Sequence, residues 1–438
     1  MDGINPVNTS SKLTLEMYLG DLIGELSFDP ATDTFAVHYT DKWQQSGFPI
    51  SPMVPLNGMG SSHQIAMFLV NLLPENKGLD YLVESLGVSR GNTFALIRAI
   101  GLDTAGAVAF VPKGVLLPET QLRPITDDEV IKRIEDPEMW PMEIWDGKPR
   151  LSVAGVQPKL NLFYNGKEFG FAEGTLASTH IVKFEKHRHL VINEYLTMRL
   201  AKAIAMNVAN VDIVHFGRYK ALTVERFDRR YLPDEHKVFR KHMVDSCQAL
   251  GFSVNKKYER NFGTGRDVKD IREGVSFERL FGLASKCSNP AAAKQDMLQW
   301  ALFNLLSGNA DAHGKNYSFF MTPNGMEPTP WYDLVSVAMY DDFEQELAMA
   351  IDDEFDPNKI YAYQLASFAD ALGLPRILLI NNLTKMADKI PRVIDDVISM
   401  LPELDEDERS FVSDYREMLQ ARCERYLSII ADVRDVDV

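Results

Sequence analysis

A polar loop that follows a strongly apolar segment contains the residues best suited to phosphoryl transfer. It spans residues 309–320 and has the pattern Asp-x-His-x-x-Asn, which begins at Asp311 and ends at Asn316. An aspartate in such a loop can orient or deprotonate a hydroxyl group, and an asparagine five residues later can reach a metal ion bound to ATP phosphates. The residue types and their spacing therefore point to ATP-dependent phosphoryl transfer.

A second carboxylate, Asp333, follows in the stretch Pro330-Trp-Tyr-Asp333-Leu, just after a predicted hairpin. It can hold Mg²⁺, as does the aspartate of the D-F-G triplet in protein kinases, whose catalytic loop also separates its Asp and Asn by five residues. A structural interpretation, with capping residues and a turn aspartate, stays open because short motifs recur by chance. His313 could bind a metal with Asp311, but no second histidine is near in the sequence, so we expect His313 to brace the loop.

One lysine interrupts an apolar strand upstream of the loop. Residues 180–184 are typical of a strand rich in β-branched and aromatic residues, with Lys183 inside it. A lysine in a central strand is normally avoided unless it meets an anion. Glu194, at the start of the following predicted helix, is a candidate partner, as the αC glutamate is in kinases. The alternatives are a solvent-facing lysine on an edge strand and a glutamate that interacts with the helix dipole.

Two further segments could contact a nucleotide. The stretch 150–159 contains a single-glycine turn at Gly155 between two predicted strands, and its backbone N–H groups could cover phosphates. It matches neither the Walker A pattern nor G-x-G-x-x-G, so it is a weak signal by itself. The segment 225–230 ends a predicted strand and could form the hinge beside adenine.

The elements predicted around these residues define an α+β chain. Residues 13–39 alternate as strands of a small antiparallel sheet do, and Ser61 or Ser62 can cap a helix. Helices are also predicted over 79–86 and from Asn92, and they dominate from residue 277 onward. Further strands are predicted at 105–111, 151–156, 160–164, 180–184, 221–227 and 317–321.

The order of these elements divides the chain into five segments. A polar, proline-containing stretch at 116–150 is the main boundary. We expect a leader at 1–12, an N-terminal subdomain at 13–115, a connector at 116–150, a β-rich ATP-binding region at 151–270 and a helical catalytic lobe at 271–438.

Composition excludes several classes of protein. The 438 residues are 45% hydrophobic and 25% charged, which is ordinary for a globular chain. The net charge of -16 disfavours a grip on nucleic acid by the chain as a whole. The three cysteines form no C-x-x-C pair, and the N-terminus lacks the basic and apolar regions of a signal peptide. We expect a cytoplasmic protein without a membrane span, whose contact with DNA comes mainly through a partner.

One motif suggests a hydrolase but lacks the necessary context. Gly87-Val-Ser-Arg-Gly91 matches the pattern G-x-S-x-G. A nucleophile elbow needs a strand before the motif and a helix after it. Because a predicted helix precedes the motif here, we interpret Gly87 as a C-terminal helix cap.

Eight short sequence motifs, in the order in which they occur, resemble the HipA family, the serine/threonine kinase toxins of bacterial toxin–antitoxin pairs. The resemblance extends over nearly the whole chain, roughly residues 13–430. The motifs are Asn71-Leu-Leu-Pro-Glu75, Thr104-Ala-Gly-Ala-Val108, Ser152-Val-Ala-Gly-Val-Gln-Pro-Lys159, Thr179-His-Ile-Val-Lys183, Val224-Glu-Arg-Phe-Asp-Arg-Arg230, Asp245-Ser-Cys-Gln-Ala-Leu-Gly251, Asp311-Ala-His-Gly-Lys-Asn316 and Tyr332-Asp-Leu334.

The resemblance implies a protein-kinase-like fold of two lobes, distantly similar to lipid kinases, with an N-terminal β-containing subdomain and a helical C-terminal lobe. It implies ATP and Mg²⁺ as cofactors, Asp311 as the catalytic base, and Asn316 and Asp333 as metal ligands. It also implies self-phosphorylation at Ser152. The implied ATP-binding residues are Ser152, Val153, Ala154, Gly155, Val156, Gln157, Lys183, Glu225, Arg226, Phe227, His313, Lys315, Asn316 and Asp333.

The resemblance also implies partners. A HipB-like helix-turn-helix antitoxin would bind operator DNA, neutralise the kinase and supply the basic DNA-reading surface that this acidic chain lacks. The substrate would be a host housekeeping protein, which in the best-known relative is glutamyl-tRNA synthetase.

Two other functions stay open. The pattern D-x-H-x-x-N also resembles phosphoinositide kinases, so a lipid or small-molecule kinase is one alternative. The other is a pseudokinase that acts only as a co-repressor by bridging antitoxin dimers. It is disfavoured because Lys183, Asp311, Asn316 and Asp333 are all present.

Overall fold

The computed structural model describes residues 12–115, 119–150, 157–174 and 176–438. Most of the expected leader, and the strand and glycine turn expected within 151–156, lie outside these ranges. Within them the chain mixes sheets and helices, as the sequence predicts. None of the described helices is long and apolar enough to cross a membrane.

A four-stranded antiparallel sheet and four helices form the N-terminal region, which we define as residues 12–115. Its elements are β1 (Leu13–Leu19), β2 (Asp21–Asp29), β3 (Thr34–Tyr39), α1 (Asp41–Ser46), α2 (Ser62–Val70), α3 (Asn76–Leu86), α4 (Thr93–Ile100) and β4 (Ala109–Pro112). The strand order is β3-β2-β1-β4. Alternation along β1 buries Leu15 and Met17, which start the core on which α2 packs through Phe68.

A six-stranded sheet occupies the middle of the chain. Its elements and their neighbours are β5 (Gln121–Pro124), α5 (Asp127–Glu135), β6 (Ile144–Trp145), β7 (Lys148–Pro149), β8 (Lys159–Tyr164), β9 (Phe169–Glu173), β10 (His180–Phe184), α6 (Leu190–Ala203), β11 (Val211–Phe216) and β12 (Tyr219–Glu225). The strand order is β11-β12-β10-β8-β9-β5. Strand β5 comes from the segment expected as a connector and adds an edge strand to this sheet.

The two faces of β10 have different environments. Val182 and Phe184 belong to a core with Leu160 and Trp145 on one face of the sheet. Because side chains alternate along a strand, Lys183 lies on the opposite face, which lines a deep cleft. Its neighbours in register are Lys159 on β8 and Leu222 on β12.

Helices surround a small sheet in the remaining part of the chain. The elements are β13 (Arg229–Leu232), β14 (Lys237–Arg240), β15 (Met243–Asp245), α7 (Ser246–Leu250), α8 (Phe277–Gly282), α9 (Pro290–Ser307), β16 (Ser318–Thr322), β17 (Gly325–Pro328), α10 (Ala362–Ala371), α11 (Arg376–Ile398) and α12 (Glu406–Ile430). Strand β16 lies between β15 and β17. Helix α9 is buried nearly all around, with Trp300, Phe303 and Leu302 each at 0% exposure.

Most predicted element positions agree with the structure, and the differences lie at the ends. Ser61, one of the two predicted candidates, caps α2, and α4 starts at the predicted place, with Asn92 as its cap. Gly87 caps α3 in the left-handed conformation, which confirms its interpretation as a helix end rather than a nucleophile elbow. The strand predicted at 105–111 begins only at residue 109, because Gly106 has a φ of +74° within a turn.

Candidate functional site

The polar loop predicted to carry the chemistry connects α9 to β16. Gly308 ends the helix in the left-handed conformation and lets the chain turn sharply into the loop. The loop is held from outside by a hydrogen bond from the Gly314 N–H to the Lys257 carbonyl oxygen at 2.9 Å. An added Cβ at Gly314 would lie 2.5 Å from Val275, so only glycine allows this close approach.

Asp311 lies in this loop at the surface of the cleft. Its Oδ1 accepts a hydrogen bond from the Tyr258 hydroxyl at 2.6 Å. Burial of the carboxyl among the cleft walls raises its pKa, and the Tyr258 hydrogen bond opposes that rise. The carboxylate therefore faces the cleft with one oxygen bound to the Tyr258 hydroxyl.

His313 is a bracing residue within the loop. Its Nδ1 accepts the Lys315 N–H at 3.3 Å, and its ring makes an edge contact with Tyr258. Burial lowers its pKa to about 3, so the ring is neutral. In the described part of the chain no group of three His, Cys, Asp or Glu side chains could hold a metal ion. The alternative of a metal site built on His313 and Asp311 therefore has no third ligand there.

Lys183 joins the sheet to the opposite wall of the cleft. Its Nζ lies 2.6 Å from Glu194 Oε1 and 2.5 Å from Asp333 Oδ1. Burial alone would lower the pKa of Lys183, but the two carboxylates raise it well above its usual range. Glu194 lies in the second turn of α6 and not at its start, and its side chain is 1% exposed. The predicted pair of Lys183 and Glu194 is present.

Asp333 and Asn316 bring two oxygen-bearing side chains together. The Asn316 amide donates to Asp333 Oδ2 at 2.7 Å, and its oxygen accepts the His313 N–H at 3.1 Å. Burial would raise the pKa of Asp333, but Lys183 and Lys159 lower it well below its usual range, so this carboxyl is ionised. Its backbone has a φ of +58°, an uncommon conformation for a non-glycine residue that is found at functional sites.

The strand end predicted as an adenine hinge borders the same cleft. The Glu225 and Arg226 N–H groups donate to the Asn210 and Thr179 carbonyl oxygens at 2.9 Å each. The Arg226 guanidinium is buried and donates to Asp228 at 2.8 Å. The Phe227 N–H donates to no other residue in the described ranges. The backbone of this segment is therefore the part that can meet a ligand.

One cleft of about 890 Å³ brings the described candidates together. Its lining includes Gln157, Lys183, Glu225, Arg226, Phe227, Asp311, His313, Lys315, Asn316 and Asp333. The other candidates lie outside the described residues: Ser152, Val153, Ala154, Gly155 and Val156.

Several residues that line the cleft were missed as site residues. Tyr258 contacts Asp311, and Asp245 pairs with Lys315 at 2.6 Å. Lys159 faces Lys183 across the strands, and burial lowers its pKa to about 8. Asn71, Asp245 and Lys159 lie in motifs that carried the resemblance, which was the one available signal; Tyr258 lies in none of them.

Comparisons with known proteins agree with one another. Family models described as HipA N-terminal domain and HipA-like C-terminal domain match residues 15–111 and 151–399. The serine/threonine-protein kinase toxin HipA of Shewanella oneidensis is 80% identical over 433 residues, which are 99% of this chain and 100% of that protein.

A solved structure extends the agreement to the fold. It contains HipA of Shewanella oneidensis MR-1 with HipB and operator DNA, and its HipA chain matches with a TM-score of 0.92 at 80% identity. The match covers 97% of this chain and 100% of that one. The resemblance found in the sequence is thus confirmed, and the chain belongs to the HipA family of serine/threonine-protein kinase toxins.

Proposed function

We propose that this chain transfers a phosphoryl group from ATP, with Mg²⁺, to a serine or threonine hydroxyl of a host protein. The observation that carries the proposal is the convergence of Lys183, Asp333, Asn316 and Asp311 on one cleft. An ammonium group, an ionised carboxylate and an amide are the groups that phosphoryl transfer needs for charge neutralisation and metal binding. The fold is proposed to be kinase-like and distantly similar to lipid kinases.

The donor set fits a magnesium ion. Carboxylate and amide oxygens are the protein ligands that Mg²⁺ prefers, and it is usually bound through one or two carboxylates together with substrate phosphates. Asp333 and Asn316, which are in contact, would hold the ion. Bound there, Mg²⁺ would neutralise negative charge on the phosphates.

Other residues of the cleft have distinct tasks in this proposal. Lys183 would neutralise phosphate charge, and Glu194 would keep its ammonium group in place. The backbone at 225–227 would meet the adenine ring, with the Phe227 N–H as a donor. Asp311 would accept the proton of the substrate hydroxyl. Gln157 and Lys315 would complete the ATP-binding wall, of which 152–156 would be the phosphate-covering turn.

A radiolabelled ATP assay on the pure chain, with and without cell extract, tests this function. We expect label on protein, a requirement for Mg²⁺ and no label with Asp311→Asn. Label on lipid or on a small molecule alone would favour the alternative kinase. ATP binding without any transfer would favour the pseudokinase co-repressor.

Self-phosphorylation at Ser152 is a second part of the proposal. Ser152 precedes Gly155 by three residues, in the turn proposed to cover the phosphates. A phosphoryl group there adds about −1.5 to −2 charge, which would repel the triphosphate and displace the turn. We expect this reaction to occur between molecules and to switch off ATP binding.

Mass spectrometry after incubation with ATP tests that switch. Wild type should gain phosphate on Ser152, whereas Ser152→Ala and Asp311→Asn should not. ATP binding should fall as the phosphate accumulates in wild type. Phosphate on another residue, or normal ATP binding by the phosphorylated chain, would exclude self-inhibition through this turn.

A DNA-binding partner completes the proposed biology. The 80%-identical Shewanella protein was solved with HipB and operator DNA. By analogy, a HipB-like antitoxin would neutralise this kinase and provide most of the contact with DNA, because the chain itself has a net charge of -16. Glutamyl-tRNA synthetase is the first substrate to test. Operator binding by this chain without antitoxin, in a gel-shift assay, would contradict the proposal that the antitoxin provides most of the contact with DNA.

The five expected segments are retained as a proposed domain organisation. The 13–115 subdomain and the 271–438 lobe would flank the ATP-binding region at 151–270, with 116–150 as the connection. Limited proteolysis that cuts first within 116–150 would support these boundaries.

A further inference from the structure

Two side chains from one loop of the N-terminal region reach the walls of the catalytic cleft. We infer, on the basis of the proposed kinase function, that Asn71 and Glu75 are positioning residues, which hold the catalytic loop (residues 309–317) in the geometry for phosphoryl transfer. Both lie between α2 and α3, far in sequence from that loop. The contacts between Glu75 and Lys257 and between Asn71 and Lys315 are called the inter-region pairs below.

The first inter-region pair is a shielded salt bridge. Glu75 Oε2 lies 2.7 Å from Lys257 Nζ, and the two side chains are 10% and 14% exposed. Both residues line the cleft that contains Asp311. At this degree of burial, loss of one partner leaves the other charge poorly solvated, so the remaining side chain must move.

Two contacts, one made by Lys257 and one by its neighbour Tyr258, connect this salt bridge to the catalytic loop. Its carbonyl oxygen accepts the Gly314 N–H at 2.9 Å. The next residue, Tyr258, donates its hydroxyl to Asp311 at 2.6 Å. A displacement of Lys257 therefore shifts both the middle of the loop and the proposed base.

The second inter-region pair fixes the same loop near its other end. Lys315 Nζ donates to Asn71 Oδ1 at 3.1 Å and to the Asn71 carbonyl oxygen at 3.2 Å. It also pairs with Asp245 at 2.6 Å, so three oxygen atoms surround the ammonium group. The Asn71 amide donates in turn to the Phe252 carbonyl oxygen at 2.8 Å, which fixes its orientation.

Docking of the N-terminal region does not depend on these pairs. Asp103 contacts Arg229 at 3.2 Å, His242 contacts the Ile50 carbonyl oxygen at 2.7 Å, and Ser51 donates to Gln248 at 3.0 Å. Removal of one partner of a buried salt bridge is destabilising by itself, but these other contacts remain. We therefore expect loss of an inter-region pair to disturb local geometry and to leave the fold assembled.

Charge reversal tests the first pair directly. We expect Glu75→Lys and Lys257→Glu each to lower kcat by about 10- to 100-fold, since a misplacement of ~1 Å can cost about 100-fold. KM for ATP should change less than kcat, because Lys183 and Asp333 lie outside the displaced loop. The double variant, which restores the pair in reverse, should regain kcat to within about threefold of wild type.

A matched control uses the exposed salt bridge between Asp21 and Lys42, also in the N-terminal region, whose side chains are 73% and 78% exposed. Reversal of either charge there should leave kcat unchanged. If a charge-reversed variant fails to fold, Glu75→Gln replaces it in the same measurement, because this change keeps the side-chain volume and removes the charge.

Hydrogen–deuterium exchange of the catalytic loop gives a readout that needs no kinase activity. The Gly314 amide should exchange faster in Glu75→Lys and return to the wild-type rate in the double variant. The inference would be overturned if the single variants kept the wild-type kcat and the wild-type exchange rate of the Gly314 amide. It would also be overturned if the double variant had a kcat no higher than that of the single variants. A wild type that shows this coupling but transfers no phosphate would instead refute the proposed function.

Discussion

The Tyr258 hydroxyl and the Asp311 carboxylate form the contact on which the proposed chemistry depends most closely. The pair is 2.6 Å apart in a cleft whose walls raise the pKa of the carboxyl. Burial in the cleft raises the pKa of this carboxyl, and the Tyr258 hydrogen bond opposes that rise. The neighbouring Asp333, held ionised by Lys183, has the opposite electrostatic environment. Two carboxylates in one cleft thus have different electrostatic environments, which is consistent with the different tasks proposed for them.

Asp311→Asn should leave the fold intact and lower kcat by ~10²–10⁴-fold, the usual contribution of a general base. The amide has the same shape but cannot accept the proton. Affinity for ATP should persist, because Asp311 is not among the residues proposed to hold the nucleotide. Steady-state kinetics and ATP titration check both parts, and near-normal turnover in the folded variant would exclude Asp311 as the base.

Tyr258→Phe should shift the acidic limb of the kcat profile to higher pH. The hydroxyl stabilises the charged form of Asp311, so its loss raises the pKa of that carboxyl further. Activity should therefore appear only at higher pH than in wild type. The profile of His187→Ala, a change elsewhere on the cleft wall, serves as the control. An unshifted limb would mean that Asp311 does not limit the rate at low pH.

Asp333→Ala and Asn316→Ala should each weaken Mg²⁺-dependent ATP binding, and Asp333→Ala should abolish activity. Both variants remove an oxygen ligand proposed for the metal. Isothermal calorimetry with and without Mg²⁺ separates metal-dependent affinity from the rest. Unchanged affinity in both variants would place the metal elsewhere.

At the residue scale, local spacing in the sequence singled out several candidates that the structure places in one cleft. Asp311 and Asn316 lie within one loop, and Lys183 stands out as a cation inside an apolar strand. Local spacing singles out neither Tyr258 nor Glu75, because both contact residues far away in sequence; Glu75 lies only in a motif that carries the resemblance. Only the folded chain brings Tyr258 to Asp311.

At the scale of elements, α6 holds two parts of the cleft at once. Glu194 on this helix pairs with Lys183, and Asn193 beside it exchanges two hydrogen bonds with the Ser336 backbone, at 2.9 and 2.8 Å. Ser336 lies three residues after Asp333. A single turn of α6 therefore fixes both the cationic and the anionic side of the proposed phosphate site.

Asn193→Ala should destabilise the protein and weaken binding of Mg²⁺-ATP. It leaves the Ser336 N–H without a partner in a fully buried place, at a cost of about 1–3 kcal/mol, while the Ser336 carbonyl oxygen keeps only the Met339 N–H at 3.3 Å. Lys202→Ala, at an exposed position of the same helix, is the matched control and should change stability by less than about 0.5 kcal/mol. Chemical denaturation and calorimetry measure the two effects; an Asn193 variant indistinguishable from the control would contradict them.

Element types were predictable, but their partners were not. The strand at 180–184, the cap of α2 and the start of α4 near Asn92 are local patterns, and the structure agrees with them. The pairing of β5 with β9 could not be read from either segment, because register across a sheet is set by tertiary packing. The polar composition of 116–150 therefore did not indicate that this segment contains an edge strand of the sheet.

At the scale of the molecule, buried charges join the N-terminal region to the rest of the chain. Arg229 and Arg226 have side chains at 0% and 4% exposure, and both face Asp103. Burial alone would raise the pKa of Asp103, but these two arginines lower it. Ser178 adds a hydrogen bond at 2.7 Å to the same carboxylate.

Asp103→Asn should lower the free energy of unfolding at neutral pH by about 1–3 kcal/mol, through loss of charge-assisted hydrogen bonds. Since the folded-state pKa of Asp103 lies below its unfolded value, its stabilisation is complete above about pH 4 and fades as the pH falls further. Wild type and variant should thus converge in stability in acid. Asp21→Asn, at an exposed site, should leave the unfolding midpoint unchanged; a difference for Asp103→Asn that persists in acid would contradict this account.

The residues that line the cleft are spread along the chain, which determines when the site becomes complete during synthesis. Its lining begins at Asn71, and strand β15 finds its partner β16 only after the whole of α9 has been synthesised. Asp333 follows later still, so a growing chain has no complete site until most of it has left the ribosome. At ~5–20 residues per second, that delay lasts many seconds. Nascent chains that end before Tyr332 should therefore be inactive, and a toxin of this design would become dangerous to its host only near the end of its own synthesis.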